Sequence, residues 1–126
     1  MVYIDTSVIL SKLFKEPTKF KWNKLKGQKL LSSSLIYYET MSACKREGIK
    51  YTDATSLLKA INIVSPNKIL EDEVAGILEI GYLRGADLTH LATALWLSRN
   101  EPKNLVFLSF DNSQLKVARE LGFEEL

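Results

Sequence analysis

The sequence predicts a three-layer α/β/α fold built on a central, mainly parallel sheet, and three observations carry that expectation. Short apolar runs (MVYID, KLLSS, INIVS, NLVFLSF) alternate with stretches whose apolar residues recur every three or four positions, and parallel strands need such helical crossovers between them. Glycine and proline mostly punctuate these stretches, and no linker or repeat interrupts them, so one domain over residues 1–126 is expected. With 126 residues, 46% of them hydrophobic and 25% charged, the chain can bury a core without disulfides or a structural metal.

MVYID reads as a short buried strand ending at Asp5. A helix over about Thr6 to Phe14 follows, capped by Thr6 or Ser7 and closed by Glu16-Pro17. A short helix is expected from Thr18 to Leu25, ending at Gly27, and then the strand KLLSS. Ser32, Ser33 and Ser34 offer capping oxygens for a helix from Leu35 to Glu47 that Gly48 terminates. Thr52 is placed to cap the helix TDATSLLKA, and INIVS is a third strand stopped by Pro66. Leu70, Val74, Ile77 and Leu78 mark the core face of a helix from Ile69 to Leu83 that Gly85 ends. Asp87 opens a helix with Leu88, Leu91, Ala92 and Leu95 buried. NLVFLSF delivers Asp111, and a last helix runs from Ser113 to Leu121, ending at Gly122.

Composition excludes several functions. Cys44 is the only cysteine and His90 the only histidine, which leaves no disulfide framework and no cysteine- or histidine-rich metal site, and fits a cytoplasmic location. MVYIDTSVIL, with an aspartate inside its apolar residues, resembles neither a signal peptide nor a membrane span. No glycine-rich phosphate loop occurs, which argues against nucleotide-dependent kinases and dehydrogenases. Asp5 lacks the second acid two residues on that a phosphate-transferring aspartate would carry, that position being Ser7. Ser7 and Cys44 have no histidine arrangement for a hydrolase triad.

The acids are more informative. Asp5 and Asp111 end strands, Asp87 begins a helix, and Glu39 lies in the second turn of another, so all four can meet at the strand ends where open sheets bind ligands. Any one of them alone reads as a cap or a helix-dipole partner. Together they would repel unless a cation lay among them, and oxygen-only ligation points to Mg2+ or Mn2+. Setting these four aside leaves 11 of the 15 acids against 17 basic residues, a balance suited to a polyanionic substrate. From Lys12 to Lys29 seven lysines face one acid, Glu16, with Phe20 and Trp22 interleaved. Lys12, Lys15, Lys19 and Lys21 are therefore candidate RNA-binding residues. His90 falls one helical turn after Asp87 and reads first as a structural residue, second as an orienter of that carboxylate.

As a set, YIDTSVIL, SSSLIYYET, GADLTHLATA and LSFDNSQLKVARELGF, carrying Asp5, Glu39, Asp87 and Asp111 in turn, resemble the PIN domain family, and within it the VapC-type toxins. The resemblance implies a Mg2+- or Mn2+-dependent ribonuclease in which those four acids hold the metal and catalyse hydrolysis. Thr6, Ser7 and Ser109 would support them, Ser109 standing where threonine is expected. It further implies RNA as substrate, a homodimer, and a VapB-type antitoxin whose tail binds near the acids. Phe14, Phe20, Trp22, Tyr37, Tyr38 and Met41 could line a groove for that tail. Three other readings remain: a PIN nuclease for RNA processing without a toxin role, a binding module of the same fold that does not cut, and a receiver-like signalling domain. The last would want paired acids near the first strand and a late strand-end lysine, which the sequence lacks.

Overall fold

The computed structural model describes residues 1–100 and 104–126. Four strands, β1 (Val2–Ile4), β2 (Leu30–Ser33), β3 (Ile61–Val64) and β4 (Val106–Leu108), form a wholly parallel sheet in the order β3-β2-β1-β4. The helices are α1 (Thr6–Leu13), α2 (Leu35–Glu47), α3 (Tyr51–Leu58), α4 (Glu71–Ile80), α5 (Gly85–Asn100) and α6 (Asn112–Glu120).

The period of two along the strands divides the core. Tyr3, in register with Leu31 and Phe107, points to the face covered by Ile77, Leu91, Leu95 and Val117 from α4, α5 and α6. Val2, Ile4, Ile61 and Leu108 point the other way, onto Val8, Ile9 and Ile36 of α1 and α2. Helices thus cover both faces, as a parallel sheet requires. The first three strands step outward in one direction, and β4 then returns to the opposite side of β1. Strand order reverses there, so the ends of β1 and β4 open a crevice of the kind in which open α/β sheets bind ligands.

Several local expectations are corrected. Neither Thr6 nor Ser7 caps α1; the N-cap residue is Asp5, and both hydroxyls serve carboxylates instead. Of the 18–25 segment only Trp22–Leu25 is helical, as a single 3-10 turn, because Phe20 and Trp22 pack edge-on to each other and against Phe110. Those side-chain contacts outweigh local helix propensity. Of the three serines before α2 only Ser33 accepts an N-terminal N–H, from Leu35 at 3.2 Å, while Ser32 donates to the Ile4 carbonyl. α3 begins a residue before Thr52, with Lys50 at its cap. α4 stops at Ile80, before Gly81, and Gly85 starts α5 rather than ending α4. Leu78 is 46% exposed and lies off the core face. α5 buries every residue from His90 to Leu95, not a stripe, because it packs against β2, α4 and α6. Gly48 and Gly122 do end helices, with φ of 72° and 91° that a side chain would disfavour.

Candidate active site

The crevice is built by residues that the strands throw out at their carboxyl ends. Asp5 follows β1 with extended backbone (φ −92°, ψ 177°), which turns its carboxylate inward rather than onto the first turn of α1. It is only 2% exposed. Ser7 Oγ donates to Oδ1 at 2.5 Å, and Ser109 Oγ, just past β4, donates to Oδ2 at 2.8 Å. Both hydroxyls are held in turn, since Ser7 accepts the Phe110 N–H (2.9 Å) and Ser109 accepts the Asp111 N–H (3.0 Å).

Asp111 is the N-cap of α6, its Oδ1 accepting the Gln114 N–H at 3.0 Å. The Gln114 side chain, fully buried, joins two elements: Nε2 donates to the Asp87 carbonyl (3.0 Å), and Oε1 lies 3.1 Å from Ser109 Oγ. Asp87 is in the first turn of α5. Glu39 comes in from α2, and its Oε1 takes the Thr6 hydroxyl at 2.6 Å and lies 3.0 Å from His90 Nε2. His90 is buried under the site, with Nδ1 3.0 Å from the Tyr3 hydroxyl. His90 is therefore hydrogen-bonded to Glu39 rather than to Asp87.

Electrostatics tie the four acids together. Burial pushes the Asp5 carboxyl above its ordinary value; the Ser7 and Ser109 hydroxyls pull it back, and the charge of Asp87 adds to the rise. Asp87 is raised as well, by partial burial and then by Asp111, with Arg84 opposing and Glu39 reinforcing. Glu39 goes the other way: burial would raise it, but hydrogen bonds from His90 and Thr6 leave it lowered. Asp87 thus feels the charges of Asp111 and Glu39, and Asp5 feels that of Asp87.

Of the supporting residues read from the sequence, Thr6, Ser7 and Ser109 all contact an acid directly. Tyr3 and Gln114 were missed. Gln114 had a signal, an Asp-x-x-Gln spacing at a helix start. Tyr3 had a weaker one, a tyrosine in an otherwise apolar strand, whose buried hydroxyl needs a partner. The lysines Lys12, Lys15, Lys19 and Lys21 are exposed. Phe20, between Lys19 and Lys21, packs 5.6 Å from Phe110, which ties that basic segment beside Asp111, and Lys12 Nζ sits 4.6 Å over the Trp22 ring. Of the aromatics expected to line a groove, three lie in different recesses. Phe14 lines a recess with Ser7, Arg46 and Phe110, Trp22 lines a second, and Tyr38 lines a third of about 440 Å³ with Ser34, Val64 and Ile69.

Among the described residues, no three His, Cys, Asp or Glu side chains close on one point as a preformed metal cage. The donor set nevertheless fits a hard cation. Asp5, Asp87 and Asp111 form no ion pair with a lysine, arginine or histidine among those residues, so no cationic side chain touches these three carboxylates, although the charge of Arg84 reaches Asp87. Mg2+ commonly uses one or two carboxylates and completes its shell with water and phosphate oxygens, so a closed cage is not required.

The fold and site together define an α/β protein with a parallel sheet and an acidic crevice where strand order reverses. The PIN domain family model matches residues 2–120, and the chain belongs to that family. PIN domains are generally nucleases. No curated protein sequence matches the chain.

Proposed function

We propose that this protein is a single-domain, Mg2+- or Mn2+-dependent ribonuclease that hydrolyses RNA phosphodiesters at the pocket formed by Asp5, Glu39, Asp87 and Asp111. The observation that carries the reading is the buried Asp5 carboxylate, locked by two hydroxyls, raised chiefly by its burial and further by Asp87, and lacking an ion-pair partner among the described residues. Folding around such a group is costly unless a cation joins it.

What a divalent cation supplies in such a site is a lowered pKa for the attacking water and neutralised phosphate charge. The chain's own part is positional. Ser7 and Ser109 fix Asp5, Thr6 and His90 fix Glu39, and Gln114 ties Asp87 to Asp111. No side chain at the site is set up as a nucleophile. Ser7 already spends its proton on Asp5, His90 is buried, and burial pushes the Cys44 thiol up. The exposed lysines from Lys12 to Lys21 supply the phosphate-tracking surface.

We place the protein within the family as the toxin of a VapBC-type pair, acting in the cytoplasm as a homodimer restrained by a VapB-type antitoxin. Exposed apolar side chains at Ile69 and Tyr82, each 81% exposed, are the surface that supports association with protein partners. The test of the nuclease is cleavage of labelled structured RNA by purified protein with Mg2+ or Mn2+. Cutting should vanish with EDTA and in Asp87→Asn. Full activity of Asp87→Asn, or cutting that survives EDTA, refutes the reading. Growth arrest on expression, relieved by a neighbouring antitoxin gene, separates the toxin from an RNA-processing enzyme.

A further inference from the structure

We infer that the recess between the end of α1 and Phe110 is a subsite for one unpaired base of the RNA, taken up beside the acidic pocket while a neighbouring phosphate stays at the acids.

The recess has a volume of about 520 Å³, within the range of pockets that hold small organic ligands. Two of its lining residues join it to the acids. Ser7 donates to Asp5 Oδ1 at 2.5 Å, and Phe110, which directly precedes Asp111, gives its N–H to Ser7 Oγ at 2.9 Å. A nucleotide next to a phosphate held at the acids therefore has the recess within reach.

The walls are preformed. Phe14 caps the end of α1, its N–H bonded to the Leu10 carbonyl at 2.9 Å. Lys15, at φ 53°, then turns the chain so that the Glu16 N–H bonds back to the Ser11 carbonyl at 3.0 Å. Phe110 is held by Phe20 and Trp22, with ring centroids 5.6 and 5.9 Å away. Two half-buried aromatic rings, Phe14 and Phe110, thus line one small space, and unpaired bases stack on such rings whatever their sequence.

The polar lining separates a base from other occupants. Glu16 is the one acid between Lys12 and Lys29, and its charge at the recess disfavours a phosphate there. Arg46 of α2 lines the same space, and its contact with the neighbouring Glu47, at 3.0 Å, is exposed and therefore weak. The edge of a base carries N–H donors for the carboxylate together with carbonyl or ring-nitrogen acceptors for the guanidinium, so one base can satisfy both. Lys15 and Lys19, exposed on either side of the Glu16-Pro17-Thr18 wall, supply positive charge for the sugar-phosphate chain entering and leaving. A duplex keeps its bases paired and stacked, so the subsite selects single-stranded RNA.

That the occupant is RNA rests on the nuclease reading, but base uptake is measured without cleavage. Metal-free protein in EDTA is titrated by fluorescence anisotropy with a labelled pool of short, random-sequence single-stranded RNA, and with a ribose-phosphate oligomer of the same length that carries no bases. Phe14→Leu keeps the apolar bulk and removes the ring; it should weaken binding of the base-bearing pool about fivefold or more and leave the base-free oligomer unchanged. Arg46→Lys keeps the charge at an exposed position, where folding is not at stake, and removes the planar fork, so it should show the same selective loss. Equal losses on both oligomers, no loss in either variant, or a wild type that does not prefer the base-bearing pool overturns the inference. Cleavage by metal-loaded wild type alongside variants that bind both oligomers normally rejects the subsite and leaves the nuclease standing. Selective loss in both variants with no cleavage by wild type supports the subsite and rejects the nuclease instead.

Discussion

Replacing Ser109 by alanine removes one oxygen from the most connected hydroxyl of the site. Ser109 is buried; it donates to Asp5 Oδ2 at 2.8 Å and accepts the Asp111 N–H at 3.0 Å. A hydrogen bond to a charged group contributes about 1.5–3 kcal/mol, and leaving the Asp111 N–H without its acceptor adds to the loss, for a total of about 2–4 kcal/mol. At this chain length that corresponds to a fall in Tm of roughly 6–16 °C. Urea unfolding of metal-free protein measures it. The mechanism is tested by a cycle with Asp5→Asn: with the carboxylate gone, the Ser109→Ala penalty should shrink by about 1–2 kcal/mol. A Ser109→Ala protein within about 0.5 kcal/mol of wild type, no more than the scatter of ordinary surface changes, would show that the hydroxyl does not hold Asp5. Strict additivity would show that its cost has another source.

The raised values of Asp5 and Asp87 mean that the folded chain binds protons there more tightly than the unfolded chain does. Metal-free stability from these two should therefore fall as pH rises from the ordinary carboxylate range through their raised values, and added Mg2+ should restore it. Glu39, lowered, acts oppositely: its contribution is present above its ordinary value and lost as pH falls through the lowered one. Thermal melts across pH, with and without Mg2+, test both signs, and Asp5→Asn should flatten the first while abolishing the Mg2+ effect. Changing Lys19 and Lys21 to alanine should weaken RNA binding about equally across sequences and reduce the slope of log K against log salt by about 2. Lys15, with φ of 53°, is the one non-glycine described in left-handed backbone, so Lys15→Gly should stabilise the fold by about 0.5–1 kcal/mol in urea titrations.

Much of the site was legible because it is punctuated locally. Asp5 directly follows a short apolar run and Asp111 closely follows another, so the strands announce where their acids fall, and Asp87 lies in the first turn of a helix that a glycine begins. The sheet order could not be read from such signals, but alternation of strand and helix was enough for the class. What stayed hidden depends on distance along the chain. Tyr3 and His90 are 87 positions apart and His90 and Glu39 are 51 apart, so no spacing rule links them. His90 therefore reads from sequence as a structural residue, or else as an orienter of its neighbour Asp87, and its bond to Glu39 is not legible there. The Thr18 to Leu25 helix failed for a related reason: Phe20 and Trp22 are held by Phe110, about 90 positions away. The capping assignment of α1 failed because carboxylates compete for the hydroxyls: Thr6 and Ser7 have the right chemistry for a cap but are spent on Glu39 and Asp5.

That Asp5, Glu39, Asp87 and Asp111 act as one cation site is tested most directly by titrating Mn2+ into metal-free wild type and into the four single Asp→Asn or Glu→Gln variants, followed by electron paramagnetic resonance. The account predicts saturable binding by the wild type and at least about tenfold weaker binding in Asp5→Asn and in each of the other three. Wild-type affinity in all four variants, or no binding by the wild type, would contradict it.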